Sequence, residues 1–434
     1  MESLKIYNNK LKGEVIIPPS KSMAHRAVIC AALSEDESII KNIDLSDDII
    51  ATINGMKALG AEIKLDDKRL IVKGINIKNM KRGERIIDCN ESGSTLRFLI
   101  PIASLDNGKN KFIGRGNLGK RPLNVYYNIF NEQGIKYLHN EGEVILKTEG
   151  KLKNGEFHVR GDISSQFITG LMFTLPLLEG NSKIIIEGPL ESKGYIDLTI
   201  KALKDFGVIV ENNNYREFNI KGNQKYKGRE YKVEGDYSQG AFFLCGDALG
   251  NEVICEGLDR ESLQGDKEVI EILEKMGVLF NNEKLSLSNS GIIGVSNKLK
   301  GTIIDASSCP DIIPILSVVA CLSEGKTKII NAKRLRIKEC DRLSAINLEL
   351  SKLGGKIKEI EDGLIIEGIK EFKGGVSVWS HKDHRIAMML SIAATRCENP
   401  IILEDYRCVS KSYPKFFEDF KRLGGQFNEW NVGK

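Results

Sequence analysis

Basic residues recur where apolar helices are expected to begin. Pro19-Ser20-Lys21-Ser22-Met23-Ala24-His25-Arg26 leads into the apolar run Ala27 to Leu33, and Asp383-His384-Arg385 leads into Ile386-Ala387-Met388-Met389. A helix start offers unpaired N–H groups and a partial positive charge, so Lys21, Arg26 or Arg385 placed there favours phosphate or carboxylate. An arginine heading an apolar helix is also costly unless it has an anionic partner. Polar neutral residues hold the same place in Asn90-Glu91-Ser92-Gly93-Ser94-Thr95 and in Ser164-Ser165-Gln166, and Gly93 allows close backbone approach to a ligand. Connecting segments add Arg121 in Lys120-Arg121-Pro122, then Lys338, Glu339 and Arg342 in Arg336-Ile337-Lys338-Glu339-Cys340-Asp341-Arg342, and Lys411. Each segment has a plainer reading. Ser20, Ser92, Ser164 and Asp311 serve as ordinary helix caps, and the charged connectors as solvated surface.

Spacing ties these segments together. Starts of apolar helices fall near Ser20, Ser92, Ser164, Asp236, Asp311 and Asp383, at intervals of 72–75 residues. A second, amphipathic helix follows in each interval and ends at Gly60, Gly134, Gly207, Gly277, Gly354 or Gly424, where glycine takes the left-handed conformation that stops a helix. Runs such as Phe167 to Leu178 and Ile312 to Leu322 are apolar all round, the mark of buried helices. Each repeat therefore reads buried helix, strand, connector, amphipathic helix, glycine stop, strand. Six such units predict an α/β protein of two domains with three units each. If the units share a fold, their charged helix starts share a face, and an anion-binding cleft follows.

Composition narrows the alternatives. The 434 residues carry a formal charge of +4 with basic residues scattered, which argues against a nucleic-acid groove. The stretch Ile312 to Leu322 is too short to span a bilayer, and the N-terminus lacks a secretory core, so no membrane partner is expected. Nine cysteines without a Cys-x-x-Cys pair suit reduced thiols and a cytoplasmic location. Five histidines, with His381 and His384 three apart and no partner ligands near them, give no expected metal site. Gly114-Arg115-Gly116-Asn117-Leu118-Gly119 fits a dinucleotide pattern by spelling only, because Lys120-Arg121-Pro122 follows where the helix should open. Gly325-Lys326-Thr327 ends like a phosphate loop, but Ala320 stands where its first glycine belongs.

Taken in order, Pro19-Ser20-Lys21-Ser22 with Arg26, Gly93 to Arg97, Arg121-Pro122, Ser164-Ser165-Gln166, Lys338-Glu339 with Asp341-Arg342, Asp383-His384-Arg385 and Lys411-Ser412 resemble the motif set of the EPSP synthase family, from about residue 5 to residue 420. The resemblance implies an inverse α/β barrel fold, two similar domains of three βαβαββ units joined by two chain crossings. Residues 1–19 with 235–434 would form one domain and residues 20–234 the other, with substrates in a cleft that closes between them. It implies transfer of the enolpyruvyl group of phosphoenolpyruvate to the 5-hydroxyl of shikimate 3-phosphate, a step toward chorismate and the aromatic amino acids. The family is usually monomeric, and neither a cofactor nor a metal is expected.

Site residues follow from the same resemblance. Lys21, Ser22, Arg26, Ser164, Ser165, Gln166, Ser192, Asp311 and Lys338 would bind shikimate 3-phosphate. Lys21, Gly93, Arg121, Gln166, Arg342, Arg385 and Lys411 would bind phosphoenolpyruvate. Asp311 would act as base on the attacking hydroxyl and Glu339 as proton donor to the methylene, with Lys21 assisting. Near Ser192 and Tyr195 the family has Ser-Lys-Pro-Tyr, and Gly194 replaces that proline here. Glu91 stands where the family usually has Asn, and Arg334 where an Asn can touch the shikimate phosphate. The sister transferase acting on UDP-N-acetylglucosamine carries a reactive Cys where Gly116 stands. A non-catalytic anion-binding relative is the other alternative, against which Asp311 and Glu339 both argue.

Overall fold

The computed structural model describes residues 2–67, 69–76, 80, 83–140, 142–190, 192–280, 291–292, 294–296 and 298–430. The chain divides into an outer unit, Met1–Pro18 with Glu234–Lys434, and a central unit, Pro19–Val233. Each has its own buried core.

The helices of the central unit are α1 (Lys21–Ala32), α2 (Asp47–Leu59), α3 (Gly93–Ala103), α4 (Asn124–Gln133), α5 (Ser165–Thr174) and α6 (Lys193–Asp205). Those of the outer unit are α7 (Tyr237–Ala248), α8 (Glu268–Lys275), α9 (Ile313–Cys321), α10 (Arg342–Lys352), α11 (His384–Ala394) and α12 (Phe416–Arg422). The odd-numbered helices are buried almost throughout; every residue of α7, α9 and α11 is buried. Each Leu, Ile or Val so enclosed contributes about 1.5–3 kcal/mol, which is why wholly apolar runs settle at the centre. The even-numbered helices keep one polar face and stop as expected. Gly60, Gly134, Gly207, Gly277, Gly354 and Gly424 all have positive φ, from 68° to 118°.

Strands cover the helices in small mixed sheets with one recurring order. In the central unit, Glu84–Asp88 pairs in parallel with Lys109–Ile113, which pairs antiparallel with Val144–Glu149, itself flanked by Lys136–His139. Glu156–Arg160, Ser182–Glu187, Glu217–Ile220 and Val210–Asn213 repeat the scheme. The third sheet borrows its first strand from the end of the unit, since Glu230–Lys232 runs parallel to Glu37–Lys41. In the outer unit the N-terminus supplies the missing strands. Ser3–Ile6 lies between Ile401–Glu404 and Phe427–Trp430, and Lys12–Ile16 runs parallel to Glu252–Glu256. Strands such as Lys109–Ile113 bury alternate residues, so one face meets the buried helices.

Among the described residues no helix is long and apolar enough to cross a membrane, and no cluster of His, Cys, Asp and Glu could hold a metal ion. All nine cysteines are free.

Candidate active site

In the central unit, bonds between side chains draw together the starts of α1, α2, α3, α5 and α6. Ser20 caps α1 by accepting from the Met23 N–H, which leaves Lys21 as the first helical residue. Lys21 Nζ lies 2.9 Å from Asp48 Oδ2, an acid in the first turn of α2. Ser92 caps α3, and its hydroxyl also accepts from Thr95, which stands 2.7 Å from Thr52; Thr52 in turn stands 2.7 Å from His25 on α1. Burial, opposed by Asp48 and reinforced by Lys21 and Arg26, lowers the His25 pKa to about 3, so this ring is neutral and its role is packing and hydrogen bonding.

Gln166, in the first turn of α5, is fixed from two sides. Arg97 Nη1 donates to its Oε1 at 2.7 Å, and its Nε2 donates to Ser94 Oγ at 2.8 Å. Arg97 lies over the Phe167 ring, 5.0 Å from its centroid. A Cβ at Gly93 would stand 2.5 Å from Arg121 Nη1 and 3.3 Å from Arg97 Nη1, so glycine lets two guanidinium groups sit over the start of α3. Ser164 caps α5 through the Gln166 N–H, and Ser165 is buried beside it.

Arg26 is buried and binds neutral acceptors: Thr199 Oγ1 at 2.9 Å, the Ser22 carbonyl at 2.6 Å and the Tyr195 carbonyl at 2.8 Å. Burial lowers its pKa to about 10. The bonds to Tyr195 and Thr199 tie α1 to the first two turns of α6. Ser192 precedes that helix with a left-handed φ of 55°, and its carbonyl accepts from the Tyr195 N–H. Gly194, where the motif has proline, lies inside α6.

In the outer unit, Arg342 is the hub. It opens α10 almost wholly buried and meets three carboxylates: Nε to Asp383 at 2.8 Å, Nη1 to Asp311 at 2.7 Å and Nη2 to Glu339 at 2.8 Å. Burial opposes its charge, but Asp383, Glu339 and Asp311 outweigh that and raise its pKa well above the ordinary value. Asp311 is also approached by Lys338 and Arg385, each at 3.4 Å. Burial works against the Asp311 charge, yet Arg385, Lys338 and Arg342 hold its carboxyl well below the usual range. Burial lowers the Lys338 pKa, with Asp311 opposing. Asp383 caps α11 by accepting from the Arg385 N–H at 2.8 Å, and Lys411 Nζ donates to the Lys382 carbonyl at 3.0 Å.

The capping reading of Asp311 is corrected here. Ser20, Ser92, Ser164, Asp236 and Asp383 each cap a buried helix. Asp311 instead lies within a 3-10 turn, Pro310–Ile312, and α9 begins after it without a side-chain cap. Its carboxylate is thereby left to the cations. Arg334 donates to the Ser307 carbonyl at 3.0 Å.

Sequence reasoning quoted Arg97 within the motif Gly93 to Arg97 without giving it a role, and missed Asp48 and Asp266 as members of these sets. Arg97 had a usable signal, an arginine within an apolar helix, the same argument that singled out Arg385. Asp266 had none, since its significance comes from neighbours distant in sequence. It is buried, hydrogen-bonded to Ser238 Oγ, and raised to about 7, chiefly by burial with Asp311 adding and Arg385 opposing.

Chemically, the central set offers cations, hydroxyls and helix starts suited to an anion. The outer set combines cations with two carboxylates, Asp311 and Glu339, that are mostly buried but still reach the surface, an arrangement suited to proton transfer.

The chain is similar to known proteins along its whole length. The family model of EPSP synthase (3-phosphoshikimate 1-carboxyvinyltransferase) matches residues 7–420. A 3-phosphoshikimate 1-carboxyvinyltransferase of Clostridium beijerinckii is 65% identical over 439 aligned positions, covering 100% of both chains. One from Clostridioides difficile is 62% identical over 442, again covering 100% of both. Among solved structures, an EPSP synthase from Acinetobacter baumannii gives a TM-score of 0.81 at 26% identity, covering 99% of this chain and 100% of that one. The enolpyruvyl transferase NikO from Streptomyces tendae gives 0.80 at 16%, covering 99% of each, a likeness of fold alone.

Proposed function

This chain belongs to the EPSP synthase family, and we propose that it transfers the enolpyruvyl group of phosphoenolpyruvate to the 5-hydroxyl of shikimate 3-phosphate, releasing phosphate. The observation that carries the reading is the outer-unit cluster, where Asp311 and Glu339 share Arg342 with Lys338 and Arg385 alongside. Shikimate 3-phosphate is assigned to Lys21, Ser22, Arg26, Ser164, Ser165, Gln166 and Ser192, with Asp311 and Lys338 at its reacting side. Phosphoenolpyruvate is assigned to Lys21, Gly93, Arg121, Gln166, Arg342, Arg385 and Lys411.

In the addition step the 5-hydroxyl oxygen bonds to C2 of phosphoenolpyruvate, its proton passes to Asp311, and the methylene takes a proton from Glu339. In the elimination the new methyl returns its proton to Glu339, the bond from C2 to the phosphate oxygen breaks, the phosphate leaves with the proton that Asp311 had taken, and the enol double bond re-forms. A carboxylate held as low as Asp311 is a weak base. The phosphate and carboxylate of phosphoenolpyruvate compete for the same guanidinium groups, so binding relaxes the pull on Asp311 and raises its basicity as the reactant arrives. Arg342 and Arg385 thus couple substrate binding to proton transfer.

Phosphate release from phosphoenolpyruvate, measured separately with shikimate 3-phosphate and with UDP-N-acetylglucosamine, tests the reading. Release with the first alone is expected. Release with the second alone would assign the sister reaction, and release with neither would leave an anion-binding protein. Asp311→Asn and Glu339→Gln should each lower kcat about 100-fold or more; losses within about threefold would remove them from the proton path.

A further inference from the structure

Glu349, near the end of α10, is a fully buried carboxylate that the reaction as described does not use. It accepts from the Trp379 N–H at 3.0 Å and from Lys352 Nζ at 2.9 Å on each oxygen, and it lies 2.9 Å from His381 Nε2. Burial works against its charge, but the bonds from His381, Lys352 and Trp379 outweigh it and hold the carboxyl below its usual range. Glu349 lies two helical turns from Arg342, so both project from one stripe of α10. They grip the same segment: Arg342 takes Asp383, and Glu349 takes Trp379 and His381.

That segment, residues 379–383, holds two consecutive non-glycine residues in the left-handed region, His381 at φ 53° and Lys382 at φ 56°. Such a conformation persists only where its surroundings over-determine it, and it gathers at functional sites. The surroundings here are dense. The His381 ring lies on Trp379 with centroids 4.3 Å apart, Trp379 Nε1 donates to Asp405 at 2.8 Å, and Ser380 Oγ donates to the Asp405 carbonyl while accepting from the Lys382 N–H. The turn so held presents the Lys382 carbonyl to Lys411, and Asp383 to both Arg342 and the Arg385 N–H.

We infer that Glu349 and His381 form a clamp on the 379–383 turn that sets the spacing of Lys411, Arg342 and Arg385, which makes Glu349 a positioning residue for phosphoenolpyruvate capture. The inference rests on the assignment of those three cations to that substrate. A purely structural carboxylate would affect both substrates alike, whereas the clamp acts on one.

Glu349→Gln preserves size and one acceptor oxygen but removes the charge. Its KM for phosphoenolpyruvate should rise about tenfold, while kcat and the KM for shikimate 3-phosphate stay within about twofold of wild type. A KM for phosphoenolpyruvate within twofold of wild type, or an equal rise for both substrates, overturns the clamp. His381→Ala removes a half-buried ring without emptying the core, and should raise the same KM about threefold; it decides the matter if Glu349→Gln does not fold. Trp379 is one of two tryptophans, so in a Trp430→Phe background its fluorescence follows phosphoenolpyruvate binding without turnover. If that background binds phosphoenolpyruvate but shows no turnover with shikimate 3-phosphate, the functional reading fails and the clamp is judged on affinity alone. A tenfold weaker response in Glu349→Gln supports it, and an unchanged one overturns it. No response in the protein that retains Glu349 means that the 379–383 turn does not sense phosphoenolpyruvate and overturns the clamp, while phosphate release alone decides the functional reading.

Discussion

The buried Asp266 carboxyl gives the candidate site a titration near neutrality. Its proton is retained to about pH 7, first because of burial and then because Asp311 adds negative potential, against the opposing pull of Arg385. In the unfolded chain the same carboxyl ionises near pH 4. Between roughly pH 4 and 7 the native state therefore binds more protons than the unfolded one, and this group's contribution to stability declines as the pH rises. Asparagine has no proton to lose and can still accept from Ser238. The melting temperature of Asp266→Asn relative to wild type should accordingly climb from pH 5 to pH 8; a difference that stays flat would mean that Asp266 is ionised throughout. Lys21 and Arg385 were legible in the sequence as cations at helix starts, because a charge beside an apolar run is visible in one dimension, whereas Arg342 read only as one charge of a connector until the family resemblance gave it a role. Asp266 was not legible, because only the approach of Ser238, Asp311 and Arg385, all distant in sequence, gives it meaning.

At the scale of elements, helix stops were the most legible feature. A glycine with positive φ ends an amphipathic run for a local reason, which spacing alone can reveal. Gly134 isolates that reason, since it has a φ of 68° and a Cβ added there would meet nothing within 4 Å. Gly134→Ala should cost about 1–2 kcal/mol through backbone conformation alone, and Gly134→Asn should recover most of the loss, because Asn visits the left-handed region more readily. Equal losses from Ala and Asn in denaturant titrations would point to packing instead. Helix starts were less legible. Asp311 keeps the repeat spacing of a cap, yet the turn at Pro310–Ile312 shifts the first residue of α9 past it. One displaced turn converts a capping carboxylate into one held by three cations, and no periodicity in the sequence records that shift.

For the whole molecule, the repeat was legible in the spacing, whereas the joining of residues 1–19 to residues 235–434 came only with the family resemblance, because a strand a few residues long does not declare its partner. The central unit completes all its sheets from its own residues, down to the pairing of Glu230–Lys232 with Glu37–Lys41. The outer unit depends on the chain's beginning. Ser3–Ile6 is an interior strand bonded on both sides, and Leu4, Ile6, Leu11, Val15 and Ile17 are buried in the outer core. Burying five such side chains contributes up to roughly 8–15 kcal/mol, as much as the entire net stability of a typical domain. The two units should therefore behave differently when separated. A fragment of residues 19–233 is expected to unfold cooperatively by itself, with a single transition in urea. Residues 234–434 alone should lack a cooperative transition and regain one when a peptide of residues 2–18 is added, with a midpoint that rises with peptide concentration as binding to the folded form requires. A cooperative transition for 234–434 without the peptide would mean that the interior strand is dispensable and that the pairing of Ile401–Glu404 and Phe427–Trp430 through Ser3–Ile6 adds little to the fold.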